Sequence, residues 1–131
     1  MKRPTVLVVD DDARVRALIV RVLHKGGFVV VEAASADDAV DVFETEPEIA
    51  ALVTDVVMPG GSGVRLAATL RQRRPDLPVI ILSGFEGQQL GAFTPNAVVL
   101  SKPFSPRVLV DALHGVCAAS CSRPAEERLA S

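Results

Sequence analysis

The strongest constraint on this chain is a repeating unit: a short β-branched run, a polar residue where the run stops, then a longer stretch of helical period. Thr5-Val6-Leu7-Val8-Val9 is apolar without alternation, the pattern of a strand buried on both faces of a parallel sheet. It stops at Asp10-Asp11-Asp12, where charge forbids further burial. From Ala13 to Lys25, Val15, Leu18, Ile19, Val22 and Leu23 recur at helical spacing, and Gly26-Gly27 supplies the stop. Phe28 to Val31 reads as a second strand, and Ser35 with Asp38 resembles a capping box opening a helix to about Thr45. Ile49 to Thr54 is a third strand and ends in Asp55. The turn-rich Met58-Pro59-Gly60-Gly61-Ser62-Gly63 follows, then a helix from Val64 to Arg74 with Val64, Ala67, Ala68 and Leu70 inward.

Val79 to Leu82 is a fourth strand, ending at Ser83-Gly84. The stretch from Phe85 to Asn96 holds Gly87, Gly91 and Pro95 and has room for about two turns of helix at most. Ala97 to Leu100 is the fifth strand, followed by Ser101-Lys102-Pro103-Phe104. Ser105-Pro106 opens the last helix as cap and first-turn proline, with Val108, Leu109, Ala112, Leu113 and Val116 as its buried stripe. Strands alternating with helices predict an α/β domain: a doubly wound, five-stranded parallel sheet with helices on both faces. Right-handed crossovers then put every strand's carboxyl end on one edge.

A length of 131 residues fits one such domain, over about residues 4–118, with 119–131 as a loose tail or short helix. The formal charge of -2 gives no drive toward nucleic acid or an anionic membrane, and no apolar run is long enough to span a bilayer. Met1-Lys2-Arg3-Pro4 does not open a signal peptide, so a cytoplasmic location is expected. Cys117 and Cys121 then read as reduced thiols rather than a disulfide or metal site. The basic run Arg71-Gln72-Arg73-Arg74 closes a helix, where cations suit the negative end of the dipole.

The polar strand ends carry the chemistry. Asp10, Asp11, Asp55, Ser83 and Lys102 must converge at the sheet edge where open parallel sheets bind ligands. Three crowded aspartates repel one another unless a cation joins them. Every candidate ligand is oxygen, which points to a hard ion, and Mg²⁺ needs only one or two carboxylates. With Lys102 it neutralises the three acids, and a phosphoryl group held there would have its charge offset without acid–base catalysis.

The segments Val6-Leu7-Val8-Val9-Asp10-Asp11-Asp12, Asp55-Val56-Val57-Met58-Pro59-Gly60-Gly61-Ser62-Gly63, Ile81-Leu82-Ser83-Gly84 and Ser101-Lys102-Pro103-Phe104 resemble the receiver domain of two-component response regulators. The Ser83-Gly84 and Lys102-Pro103-Phe104-Ser105-Pro106 turns look most like receivers associated with hybrid sensor histidine kinases. The resemblance implies a flavodoxin-like fold, as in the chemotaxis regulator, with strand order 2-1-3-4-5. It implies that Asp55 takes a phosphoryl group from a phosphohistidine on a histidine kinase or histidine phosphotransfer protein. It assigns Mg²⁺ to Asp11 and Asp55 directly, to Asp10 largely through water, and to the backbone carbonyl of Val57. Lys102 would pair with the phosphoryl oxygens, and Ser83 would swing in after transfer. The outcome would be a switched surface around the fourth helix, fifth strand and fifth helix, read by a downstream protein partner. Such a domain is a signalling module with self-phosphorylating and self-dephosphorylating chemistry rather than a dedicated enzyme.

Two departures stand out. Val99 occupies a position that is aromatic in many receivers, and the stretch between Ser83 and Lys102 looks short and poor in helix formers. The second argues for a monomer or weak dimer. Val57 and Phe85, apolar where the family borders the attacking water, imply slow self-dephosphorylation. The exposed side of the first helix (Arg14, Ala17, Val20, Arg21) is where the resemblance would dock a kinase. Competing readings are a degenerate receiver that only binds protein, and an aspartate-nucleophile phosphatase of the haloacid-dehalogenase kind. The latter wants an acid two residues after the nucleophile, where this chain has Val57. With no output domain expected after residue 118, signalling would pass through protein contact.

Overall fold

The computed structural model describes residues 3–58, 61–83, 97–102 and 104–121, with backbone alone at residues 57, 58, 61 and 118–121. Numbering only the strands of the main sheet, the order along the chain is β1 (Thr5–Val9), α1 (Ala13–Lys25), β2 (Val29–Ala33), α2 (Ala36–Thr45), β3 (Ile49–Asp55), α3 (Gly63–Arg73), β4 (Val79–Ser83), β5 (Ala97–Ser101) and α4 (Pro106–Cys121). Between β3 and α3, Val57–Met58 pairs with Gly61–Ser62 in a small antiparallel ribbon. The sheet has five strands in the order β2-β1-β3-β4-β5, and every pairing is parallel. This is the expected 2-1-3-4-5 arrangement.

The sheet is covered on both faces. Leu7 and Val9 of β1, Leu52 of β3 and Ile81 of β4 join Ala39 and Phe43 of α2 and Leu66, Ala67 and Leu70 of α3 in one core. Val6, Val8, Val53, Ile80 and Leu82 point the other way, onto Ile19 and Leu23 of α1 and Leu109, Leu113 and Cys117 of α4. Fully burying one such Leu or Ile contributes about 2 kcal/mol, against about 1 kcal/mol for a good helix cap. Packing therefore holds the layers together, and the caps set where helices begin. Asp12 caps α1 by accepting from the N–H groups of Arg14 and Val15, and Ser35 caps α2 by accepting from Asp38 N at 3.1 Å. Ser62 caps α3 in the same way, through Arg65 N.

Several details differ from the sequence pattern. β2 begins at Val29 and continues to Ala33, because its residues pair one for one with Thr5 to Val9 of β1. Phe28 stays buried beneath its start. At the sheet's edge Glu32 can face solvent, so the polar residue does not end the strand. Leu18 and Val108, assigned to buried stripes, are 53% and 48% exposed. In α1 the core is met by the narrower i, i+4 pair Ile19 and Leu23, and in α4 by Leu109, Leu113 and Cys117. In α3 Leu66, not Ala68, faces inward. The last helix runs to Cys121 rather than ending near Ala118. The Cys117 side chain is buried. The helical turns expected between Phe85 and Asn96, and the tail from Ser122, lie outside the described residues. No helix among the described residues is long and apolar enough to cross a membrane.

The basic run at the end of α3 is built into the fold. Arg71 Nε donates to the carbonyl of Leu77 at 3.0 Å, and Arg74 donates to the carbonyl of Ile49 while lying over the Phe43 ring. These contacts lock the α3–β4 connection to the start of β3.

Gly63 fixes how the ribbon meets β3. Its N–H donates to the carbonyl of Val56 at 2.8 Å, and a Cβ built there would lie 2.1 Å from the carbonyl oxygen of Asp55. That contact is with backbone at the end of a central strand, so no side-chain rotation relieves it. Gly63→Ala is expected to lower stability by about 3 kcal/mol, read as a lower denaturant midpoint in urea unfolding; an unchanged midpoint would contradict the packing described.

Candidate functional site

The strand ends converge as the chain order demands. Asp10 follows the last residue of β1, Asp55 is the last residue of β3, Ser83 closes β4 and Lys102 follows β5. Side-chain oxygens of Asp10, Asp11 and Asp55 all lie within 4.8 Å of one another. Lys102 Nζ is 3.0 Å from Asp55 Oδ1, which also accepts from Val56 N at 2.9 Å. Both hydrogen bonds found on this carboxylate among the described residues fall on Oδ1, which leaves Oδ2 for other partners. The pair is partly shielded, with the Lys102 and Asp55 side chains 30% and 17% exposed.

Asp10 is the buried member, only 1% exposed. Its Oδ1 accepts from Asp12 N at 2.9 Å, while Oδ2 is buried without a hydrogen-bond partner among the described residues. A buried carboxylate oxygen in a cluster of three acids is stabilised by any cation that reaches it. An all-oxygen donor set of this kind suits a hard divalent ion. Ser83 repeats the theme: it is fully buried, and its Oγ has no hydrogen-bond partner among the described residues. Its carbonyl accepts from Lys102 N at 2.6 Å, so the ends of β4 and β5 are joined through backbone. Thr54, also fully buried, donates from Oγ1 to the Asp55 carbonyl at 3.0 Å.

The candidates from sequence thus fall in one place: Asp10, Asp11 and Asp55 together, Lys102 on Asp55, and Ser83 at the neighbouring strand end. Val57 lies two residues beyond Asp55, in the ribbon opposite Ser62. Its side chain, Gly84 and Phe85 lie outside the described residues, and with them the expectation about self-dephosphorylation. Val99 is half-buried against the α2–α3 core. Sequence reasoning placed Gly63 only in the turn-rich loop and missed its close approach to the backbone of Asp55 at the first residue of α3. It also missed Arg16, whose place on the polar side of α1 gave no hint of a partner.

With this geometry in hand, comparison with known proteins is decisive. The sequence model of the response regulator receiver domain matches residues 6–114. The chain belongs to the response regulator receiver domain family. The receiver protein CpdR of Brucella abortus is 35% identical over 114 residues, covering 85% of this chain and 92% of CpdR. The phosphate regulon transcriptional regulatory protein PhoB of Escherichia coli is 34% identical over 116 residues, 85% of this chain. The match spans only 50% of PhoB. In structure, the receiver domain of the hybrid histidine kinase CckA superposes with a TM-score of 0.73 at 29% identity, covering 86% of this chain and 98% of that one. Receiver domains are the phosphoacceptors of two-component signalling, and the likeness to CckA accords with the hybrid-kinase resemblance of the strand-end turns.

Burial raises the carboxyl pKa of Asp10 above its ordinary value; Asp55 and Asp11 push it the same way, against the Asp12 N–H and Lys102. A raised acid binds its proton more tightly in the folded receiver than in the unfolded chain. Stability of the metal-free protein therefore falls as pH rises from the unfolded value of about 3.9 through the folded one. Asp10→Asn is expected to raise the thermal midpoint in EDTA at neutral pH, and this gain should shrink as pH approaches 4. A variant less stable than wild type at neutral pH would contradict the electrostatic account.

Proposed function

We propose that this receiver accepts a phosphoryl group on Asp55, in the presence of Mg²⁺, from a phosphohistidine on a histidine kinase or histidine phosphotransfer protein. The observation that carries this reading is Lys102 Nζ bonded to Asp55 Oδ1 at the centre of a three-acid cluster that includes an unpartnered buried oxygen. Asp10, Asp11 and Asp55 would hold the ion, with the Val57 carbonyl as a further oxygen. Bound there, Mg²⁺ supplies positive charge that offsets the phosphoryl oxygens.

The protein's own groups account for the rest. The Asp55 carboxylate attacks phosphorus through the oxygen left free by Lys102 and Val56 N–H. An O–P bond forms as the P–N bond to imidazole breaks, and the bonding pair returns to the histidine nitrogen. Phosphoryl transfer of this kind needs positioning and charge more than proton movement. Lys102, already turned to the site, supplies a fixed ammonium for the arriving oxygens. Ser83 Oγ, buried and without a partner, is a hydroxyl ready to donate to the new group. A donor that finds its acceptor only in the modified state biases the protein toward that state.

The output is a changed protein-binding surface read by a downstream partner, and the domain acts as a signalling module rather than a dedicated enzyme. A binding-only receiver would have no use for an unpartnered Asp10 oxygen beside a poised lysine. PhoB's role in transcription belongs to a protein about twice the length of the matched region and is not transferred here.

Adding beryllofluoride with Mg²⁺ should shift amide NMR signals widely in wild type and leave Asp55→Asn unaffected. Equal spectra with and without it in wild type would overturn the proposal. Ser83→Ala should fold at least as stably as wild type, because it removes an unsatisfied buried hydroxyl. The same reagent should then bind while the shifts along β4 and β5 shrink; a full wild-type response would remove Ser83 from the switch.

A further inference from the structure

We propose that Arg16 is a positioning residue for the acid cluster. Its guanidinium holds the peptide plane between Asp10 and Asp11, with Glu32 on β2 as the anchor that orients it. The inference rests on the reading of Asp10, Asp11 and Asp55 as the Mg²⁺ site and adds a residue that none of the site motifs contains.

Local geometry explains the reach. Asp12 caps α1, and its carbonyl accepts from Arg16 N at 2.9 Å, so Arg16 lies one turn into the helix. Helical side chains lean toward the N-terminus. A long side chain at this position therefore runs back over the turn that carries the acids. Arg16 Nη1 donates to the Asp10 carbonyl at 2.7 Å, and Nε donates to Glu32 Oε1 at 3.1 Å. Its side chain is 19% exposed, so the fork is held mostly against protein. Glu32 lies directly beside Val8 in the β1–β2 register, two residues before Asp10. The clamp thus spans the edge strand, the end of β1 and the first turn of α1.

The consequence follows from peptide planarity. The Asp10 carbonyl oxygen and the Asp11 Cα belong to one rigid unit. Fixing the oxygen fixes where the exposed Asp11 begins, and so whether its carboxylate stays near Asp10 and Asp55. The other groups of the turn are already assigned: Asp10 N donates to the Ala33 carbonyl and Asp10 Oδ1 accepts from Asp12 N. Arg16 supplies the remaining constraint. The role demands Arg rather than Lys, since two donors must point along fixed and different directions from one plane. Glu32 also neutralises the guanidinium, which leaves geometry rather than charge as its contribution to the acids.

Isothermal titration calorimetry of Mg²⁺ into the folded protein tests this, with circular dichroism to verify folding of wild type, Arg16→Gln, Arg16→Lys and Glu32→Gln. Positioning expects both Arg16 variants to bind Mg²⁺ about tenfold more weakly, as when an outer partner of a metal ligand is lost. Glu32→Gln, which keeps the Asp10 contact, should lose less. Wild-type affinity in folded Arg16→Gln, with only its melting temperature lowered, would reduce Arg16 to a structural role and overturn the inference. Restored affinity in Arg16→Lys would show that charge alone suffices and overturn it equally. Should Arg16→Gln fail to fold, Arg16→Lys decides between the same two outcomes. Absence of Mg²⁺ uptake by wild type would overturn the metal-site reading as well, a result distinct from uptake that is normal in wild type and undiminished in the Arg16 variants.

Discussion

Three carboxylates within 4.8 Å, set against one ammonium, repel one another, and the rest of the fold has to offset that cost. Their closeness follows from the sheet. β1 and β3 are neighbours in parallel register, so the residues that follow Val9 and Thr54 must emerge side by side. The strands in turn are held by apolar layers on both faces, which bury Val8 and Val53 on one side and Val9 and Leu52 on the other. Hydrophobic burial thus does the electrostatic work of pressing like charges together. The strain is concentrated at Asp10, where burial lifts the carboxyl pKa and one oxygen is left bare.

That concentration makes the site responsive. A phosphoacceptor has to be stable in two states of charge, before and after a phosphoryl group arrives. Lys102 already lends its ammonium to Asp55, and the buried Ser83 hydroxyl has no hydrogen-bond partner among the described residues. The backbone bears the fold, and the side chains bear the change.

The fold was legible in the sequence because the β-branched runs at Thr5–Val9, Ile49–Thr54 and Val79–Leu82 admit little besides doubly buried parallel strands. The site was legible because the apolar runs break off at Asp10, Asp55 and Lys102; that Asp10 itself is buried, against the expectation that charge ends burial there, was not. Helix faces were less readable. Leu18 and Val108 fit a helical stripe by spacing, yet the core is met most closely by a narrow i, i+4 row, Ile19 and Leu23 in α1 and Leu109, Leu113 and Cys117 in α4, and both remain exposed. Leu66 was overlooked in favour of Ala68 because a residue's facing depends on where its helix starts, and α3 starts at Gly63. Glu32 and Arg16 are distant in sequence, and each by itself reads as a side chain turned to solvent. Only the edge position of β2 beside the first turn of α1 makes them partners.

The bond from Lys102 N to the Ser83 carbonyl has a mechanical meaning of its own. It yokes Lys102, whose ammonium is bonded to Asp55, to the backbone that carries the Ser83 hydroxyl, across two neighbouring strands. Relative sliding of those strand ends would break the yoke. With the yoke intact the two strand ends shift together, and independent movement of the two residues is left to their side chains.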